Sequence, residues 1–371
     1  MPFEPKPASE QASLTIGERL CDLPFRDIRG HVRSLYATHY FGWPKVIHLA
    51  MSPEDAEPEL RRLAARVGEF KELETHVFAV TRASAQENAA LAQRLRLPYP
   101  LLSEEAGCLH RAAGMEKGGR PCTLFFDPIL RLERQIAAAD GPNQAESALA
   151  HAKARFASHR PTVTTAQAPA LMVPNLIEPE HCRRLIALWD RGRKLENTTS
   201  SETEKVRTNP KAKIRSDILL LLGTPESDEL LAVMRRRLLP EISKAFNFEV
   251  TRLEHFRVGC YDAARGGHFA AHRDNTKEIT AHRRYALTLN LNTGAYEGGY
   301  LRLPEYGPQL YAPPAGGGVV FSCSLLHLAT PVTKGRRFAL VSFFWGEAEQ
   351  KIFEASHADM FPQGTDFNLF G

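Results

Sequence analysis

The hydrophobic pattern changes its period partway along the chain, and this change limits the fold more than any other feature. Up to about residue 156, apolar runs alternate with stretches of helical spacing. Lys45-Val46-Ile47-His48-Leu49-Ala50 reads as a strand. Ser52-Pro53-Glu54-Asp55 then opens a helix, in which Leu60, Leu63, Ala64, Val67 and Phe70 recur on one face. His76 to Val80 is a second strand and Gln86 to Leu95 a second helix, and Leu97-Pro98-Tyr99-Pro100-Leu101 ends that unit. Cys122 to Phe126 is a buried-type strand, Leu130 to Ile136 its hairpin partner, and Asn143 to Phe156 a closing helix. This order predicts an α/β layer fold. From Val250 the pattern shortens. Leu253 to Tyr261, Tyr285 to Asn292, Tyr300 to Leu303, Val319 to Ser322 and Phe338 to Phe344 are strand-like, and turns such as Glu297-Gly298-Gly299 and Gly316-Gly317-Gly318 lie between them. Short strands punctuated in this way predict a double-sheet barrel or jelly roll.

The length, 371 residues, suits two domains. Residues 1–14 read as a disordered tail, 15–156 as the α/β domain, 157–170 as a linker, 171–348 as the strand-rich domain and 349–371 as a C-terminal extension. Glu178-Pro179-Glu180 opens a helix, Arg191 to Asn209 is polar and a candidate lid, and Leu230 to Phe246 reads as one long helix. Arg235-Arg236-Arg237 within it fans around the axis and reads as a solvated surface. The net charge of +4, with 47 basic against 43 acidic residues, gives no polyanion footprint. The six cysteines form no CxxC pair, which points to a reducing cytoplasm rather than a disulfide framework. The N-terminus has no apolar core of a signal peptide, and no apolar run is long enough to span a membrane.

One stretch of the second domain carries chemistry. Tyr261 to Asp274, YDAARGGHFAAHRD, ends in His272-Arg273-Asp274; His327 follows after a long excursion, and Arg336 and Arg337 come nine and ten residues later. Residues i and i+2 of a strand share a face, so His272 and Asp274 are expected to aim together at one ion. Two imidazoles and one carboxylate with positions left open are the donor set of a non-haem iron(II) oxygenase. A second His-x-Asp, His357-Ala358-Asp359, has no histidine downstream and reads as surface.

Two resemblances follow. GERLCDLPFRDIRG, KVIHLAMSPEDAEPEL, LRLPYPLLSEEAGCLHRAAGM and PCTLFFDP, in this order over residues 15–150, resemble the peroxiredoxin branch of the thioredoxin fold. The position of that family's nucleophilic cysteine falls at about Ala56, which excludes thiolate chemistry there. Cys108 and Cys122 read as small buried hydrophobes. Over residues 171–347, the Tyr261 to Asn275 stretch, Arg284 to Asn292, Tyr296 to Leu301 and His327 to Arg337 resemble the prolyl-4-hydroxylase-like class of iron(II)/2-oxoglutarate oxygenases. That class has a double-stranded β-helix with flanking helices. The resemblance implies that His272, Asp274 and His327 hold Fe(II) and that Arg337, rather than Arg336, pairs with the far carboxylate of 2-oxoglutarate. It also implies that Tyr261 donates to the co-substrate, as does Asn290, which stands where the class often has tyrosine.

The implied reaction consumes O2 and 2-oxoglutarate, releases succinate and CO2 and hydroxylates a substrate, with ascorbate as a possible reductant. The substrate expected is a prolyl or other residue of a protein or peptide; the alternatives are a small molecule, or a binding protein that only senses iron and 2-oxoglutarate. A nucleic-acid repair oxygenase is disfavoured, because the arginine–asparagine–arginine pattern of those enzymes is missing after His327. A thiol peroxidase is disfavoured by Ala56.

Overall fold

The computed structural model describes residues 14–357 apart from 116–118, 138–139, 141–142, 160–162, 165, 197, 200–206 and 209–210. The chain divides into two compact units, Met1–Val163 and Thr164–Gly371. The tail expected over 1–14 lies outside the described residues except for Leu14. That residue is buried, and its N–H donates to the Ala112 carbonyl at 2.7 Å, so it belongs to the first unit.

The first unit is a seven-stranded sheet with strands β1 (Phe25–Arg26), β2 (Val32–Arg33), β3 (Lys45–Ala50), β4 (His76–Thr81), β5 (Leu101–Ser103), β6 (Cys122–Phe126) and β7 (Leu132–Ala137). Their order across the sheet is β2-β1-β5-β4-β3-β6-β7, and β3, β4 and β5 run parallel. Helices α1 (Pro53–Glu72), α2 (Ala85–Leu95), α3 (Cys108–Ala112) and α4 (Gln144–Ser158) complete it. Side chains alternate along β3. Ile47 and Leu49 enter one apolar cluster, whereas Val46 and Ala50 enter another with Leu60, Leu63 and Phe70 of α1. A sheet buried on both faces reads in sequence as a near-continuous apolar run, which is why β3 and β6 were legible. β5 and α3 were not, because the prolines around Tyr99 masked a three-residue strand. Ser52 caps α1 by accepting from the Asp55 N–H, and Pro53 occupies the first turn. Ala56 lies fully buried in that helix. Cys122 is buried, and burial pushes its thiol up to about 12; Cys108 is only half-buried, with the Arg111 guanidinium 3.4 Å from its sulfur.

In the second unit β8 (Ala170–Val173) precedes α5 (Pro179–Arg191), β9 (Leu195–Glu196), β10 (Thr198–Thr199), β11 (Arg207–Thr208), β12 (Lys213–Ile214) and β13 (Ser216–Leu220). The expected lid over 191–209 lies partly outside the described residues; within it, β10 pairs with β11. Then come α6 (Pro225–Val233), a π-helical turn over Met234–Leu238 and α7 (Leu239–Phe246). The single helix expected over 230–246 is thus interrupted. Pro240 cannot donate a backbone hydrogen bond, and the Leu239 N–H bonds back to the Met234 carbonyl, five residues away. The arginine triplet is also not uniformly solvated. Arg235 and Arg236 are exposed, but Arg237 is 2% exposed, and its guanidinium donates to the Leu176 carbonyl at 3.0 Å and to Glu178 Oε1 at 2.6 Å.

The remaining strands are β14 (Arg252–Leu253), β15 (Phe256–Asp262), β16 (His268–His272), β17 (Tyr285–Asn290), β18 (Tyr296–Gly298), β19 (Leu301–Arg302), β20 (Leu310–Tyr311), β21 (Gly318–Ser322), β22 (His327–Ala329) and β23 (Val332–Trp345). They form two antiparallel sheets. The larger has the order β8-β21-β17-β23-β15-β13-β9, with β14 and β18 also on β23; the smaller has the order β12-β16-β22-β19-β20. Leu287 and Leu289 of β17 face a core shared with Leu185 of α5 and Ile242 of α7, while Ala286 faces the other way, with Leu301, Phe321 and Phe343. The expected C-terminal extension begins as α8 (Glu347–His357), which belongs to the unit. Phe353 stacks on Trp345, and Glu349 accepts from the Arg284 guanidinium. Asp359 lies outside the described residues, so the second His-x-Asp has no described geometry.

Candidate metal centre and its cavity

The two sheets bring the separated sequence motifs to one cavity of ≈ 690 Å³, lined by His272, Asp274 and His327 from one side and by Tyr261, Thr288 and Arg337 from the other. The register explains the meeting. His272 on β16 is the direct cross-strand partner of His327 on β22, so residues 55 apart in sequence share one face of the smaller sheet. Asp274 arrives differently from the strand-parity expectation. β16 ends at His272, and Asp274 lies in the following turn, where its N–H donates to the Cys323 carbonyl at 3.0 Å. Arg273, between them, reaches toward the loop before His327. It forks onto Glu305, which also accepts from the Leu326 N–H, so this pair ties the Asp274 turn to the loop that delivers His327. Glu305 had no signal in the sequence, because its partners are distant along the chain.

The donor chemistry of the three side chains fits a cation. His272 Nδ1 lies 2.8 Å from the Ala270 carbonyl and His327 Nδ1 lies 3.0 Å from the Leu325 carbonyl. A carbonyl only accepts, so each Nδ1 carries its proton and each Nε2 is left with a lone pair. Both Nε2 atoms turn to Asp274, at 3.4 Å from His272 and 3.2 Å from His327. The three potential ligand atoms lie within 4.8 Å of one another. Phe269 stacks on the His272 ring at 3.6 Å between centroids and fixes its plane. Burial works against ionising Asp274, but the His327 and His272 imidazoles beside it, when protonated, outweigh burial and hold the carboxyl well below the usual range. Among the described residues no other group of three or more histidine, cysteine or acidic side chains is placed to hold a metal.

The opposite wall is organised by small residues. Along β23, Arg337, Ala339 and Val341 face inward; Ala339 lies opposite Gly259 of β15 and Asn290 of β17, and Arg337 lies opposite Tyr261. Arg337 is 4% exposed, and its Nη2 donates to Asn290 Oδ1 at 2.9 Å and to Thr288 Oγ1 at 3.1 Å. Arg336 has the other parity: it is about half exposed, 3.8 Å from Asp190. Asn290 is buried behind the guanidinium. Its Nδ2 donates to the Pro313 carbonyl at 3.3 Å, and it stands behind Arg337 rather than among the cavity-lining residues. Tyr261 does line the cavity, between Arg215 and Arg337, whose guanidinium carbons lie 5.5 and 5.2 Å from its ring centre.

A buried charged cluster not expected from the sequence lies beside this wall. Arg215 forks onto Asp217 and donates to the Tyr261 hydroxyl at 3.2 Å, and Lys213 reaches Asp217 at 3.1 Å. Burial opposes the charge on Asp217, but Arg215 and Lys213 bring its carboxyl down to about 2; burial and the nearby Arg215 push Lys213 down to about 7. Gly259 makes the cluster possible, since a Cβ there would lie 2.7 Å from Asp217 Oδ1 and 2.8 Å from Arg215 Cδ. Alternation of Arg215 and Asp217 before an apolar run was the one available clue. Of the remaining histidines, His255 accepts from the Leu222 N–H, His268 Nδ1 bonds the Gly266 carbonyl and His282 is buried 3.4 Å from Glu254; none joins the triad.

The two family matches fall one in each unit. Residues 256–345 match the 2OG-Fe(II) oxygenase superfamily and residues 44–134 the AhpC/TSA family. A PKHD-type hydroxylase of Synechococcus sp. (strain JA-2-3B'a(2-13)) is 31% identical over 121 residues, 31% of this chain and 51% of the relative. One from Paracoccus denitrificans (strain Pd 1222) is 27% identical over 188 residues, 48% of this chain and 78% of the relative. The chain spans about half the length of the Synechococcus relatives. Among solved structures, a Pseudomonas putida prolyl-4-hydroxylase is 21% identical, with 48% of this chain and 94% of that chain covered and a TM-score of 0.39. Peroxidoxin BcpB from Mycobacterium tuberculosis is 23% identical, with 38% and 97% covered and a TM-score of 0.34. The chain joins a peroxiredoxin-like domain of the AhpC/TSA family to a C-terminal domain of the 2OG-Fe(II) oxygenase superfamily.

Proposed function

We infer that the second unit is an Fe(II)- and 2-oxoglutarate-dependent dioxygenase that hydroxylates a prolyl or other residue of a protein or peptide. The observation that carries this reading is the pair of imidazole Nε2 lone pairs converging on Asp274 across a cavity from a buried arginine. His272, Asp274 and His327 would hold the metal. Iron(II) bound there, with 2-oxoglutarate and O2, supplies the oxidising power for inserting oxygen into a C–H bond.

The chain's own residues orient and insulate. Arg337, with Asn290 and Thr288 fixing one edge of its fork, offers its remaining N–H groups to a carboxylate, which a planar guanidinium binds with two hydrogen bonds. Tyr261 forms the wall beside it and keeps its hydroxyl toward Arg215. Ala286, Leu301, Phe321 and Phe343 exclude water from the cavity and strengthen these charge contacts. The PKHD-type hydroxylase relatives support the hydroxylase reading.

The test is succinate release from 2-oxoglutarate with iron(II) and ascorbate, which is expected in the wild-type chain and lost in His272→Ala. Incubation with a cell lysate should then give +oxygen adducts that depend on an intact His327. If the wild-type chain releases no succinate, or if release is unchanged in His272→Ala, the dioxygenase reading fails.

A further inference from the structure

The cavity wall holds more positive charge than its carboxylates answer. Arg215 is neutralised by Asp217 and Arg283 by Glu254, in each case through two hydrogen bonds. Lys213 shares Asp217 with Arg215, and Arg257 is left with no carboxylate oxygen within hydrogen-bond distance. It lines the cavity, and its closest carboxylate oxygen is Glu254 Oε2 at 3.9 Å, which already accepts from Arg283 at 3.0 Å. The Arg257 Nε is buried and has no hydrogen-bond partner, while its side chain as a whole is 32% exposed. A guanidinium with a shielded, unanswered N–H and a face open to a cavity is suited to a carboxylate arriving from outside.

Its position separates it from Arg337. Arg257, Gly259 and Tyr261 alternate on one face of β15; Tyr261 lies opposite Arg337 and Arg257 opposite Val341. Four residues along a strand put the Arg257 and Tyr261 backbones about 13 Å apart. The two cations therefore rise from opposite ends of the same inward face, with Val341 and Phe343 also on the cavity wall.

We propose that Arg257 receives a carboxylate of the substrate, so that the hydroxylated molecule is anionic: an acidic peptide or a free carboxylic acid. This rests on the proposed function, in which Arg337 is taken by 2-oxoglutarate. The substrate carboxylate docks on the Arg257 fork, and the two cations divide the two anions between them.

The test uses the full chain loaded with Mn(II) and saturating 2-oxoglutarate, titrated calorimetrically with succinate and, separately, with its uncharged isostere succinamide. Succinate is expected to bind and succinamide not. Arg257→Gln should weaken succinate binding by at least about tenfold and Arg257→Lys by less, both with unchanged 2-oxoglutarate affinity. A capped glutamyl tripeptide and free glutamate separate the two sources: Arg257-dependent binding of either supports the inference, and binding of neither overturns it. Equal binding of succinate and succinamide, or an Arg257→Gln chain that binds succinate like the wild type, also overturns it. Failure of the wild-type chain to bind 2-oxoglutarate would instead sink the proposed function, before any succinate is added.

Discussion

Arg337 reaches the cavity because Ala339, two residues on along the same face, carries only a methyl group, and because Gly299 lets the chain cross its stem. A Cβ on Gly299, whose φ is +66°, would lie 3.0 Å from Arg337 Cδ. The guanidinium is thus positioned by what its neighbours lack as much as by Thr288 and Asn290. Arg337→Ala should cost about 2 kcal/mol or more of co-substrate binding, a roughly 30-fold rise in the 2-oxoglutarate KM, with Arg337→Lys intermediate because it keeps charge but loses the fork. Gly259→Ala probes the same wall from behind. Its methyl group would press on Asp217 and Arg215, so urea unfolding should show a loss of about 1–3 kcal/mol. The pattern of the motif made Arg337 legible by strand parity. Gly259 was not legible, because the side chains it accommodates, Arg215 and Asp217, lie just before β13 and at its start, some forty residues earlier.

At the scale of elements, two buried polar side chains set testable stabilities. Arg237, carried on the π-helical turn, satisfies the Leu176 carbonyl and pairs with Glu178 where the chain enters α5. Arg237→Met should cost about 1–3 kcal/mol, read as a lowered melting temperature, because the carbonyl is left buried and unanswered. In β3, His48 Nδ1 donates to Thr123 Oγ1 at 3.0 Å, since that hydroxyl spends its own proton on Gln144. Its Nε2 is buried without a partner, and burial pushes the imidazole from 6.5 down to about 3. Below pH 6.5 the unfolded chain therefore binds a proton that the folded one refuses. The His48 contribution is complete above pH 6.5 and is lost as the pH falls toward 3, by up to about 1.4 kcal/mol per pH unit. Hydrogen exchange of the β3 amides between pH 4 and 7 should show this slope, flattened in His48→Gln. The helical period around 230–246 was readable, but the interruption came from one proline competing with an otherwise apolar helix face.

The whole molecule has separate cores in its two units, so a ligand of one should act on that unit's stability. Metal plus 2-oxoglutarate at a hundredfold excess over Kd should raise the stability of the second unit by about 2.7 kcal/mol. Scanning calorimetry should show the rise, a chelator should reverse it and His327→Ala should abolish it. Hydrogen exchange in β3 and β6 of the first unit should stay unchanged. That unit should also fail to reduce hydroperoxides, since Ala56 brings no thiol to the buried turn of α1; peroxide turnover above that of free thiol would refute this.

The sequence by itself determined the local periods, hence β3, β6, the α/β order of the first unit and the strand-rich second unit. It also placed His272, Asp274, His327 and Arg337 in a recognisable order, because each is marked by residue type and near neighbours. Tertiary structure alone decided what depends on register between distant strands. It paired His272 with His327, moved Asp274 into a turn, set Asn290 behind the Arg337 guanidinium and left Arg257 short of a carboxylate. Cross-strand partners are chosen by pleat and packing across a sheet, and one sequence carries no local record of that choice.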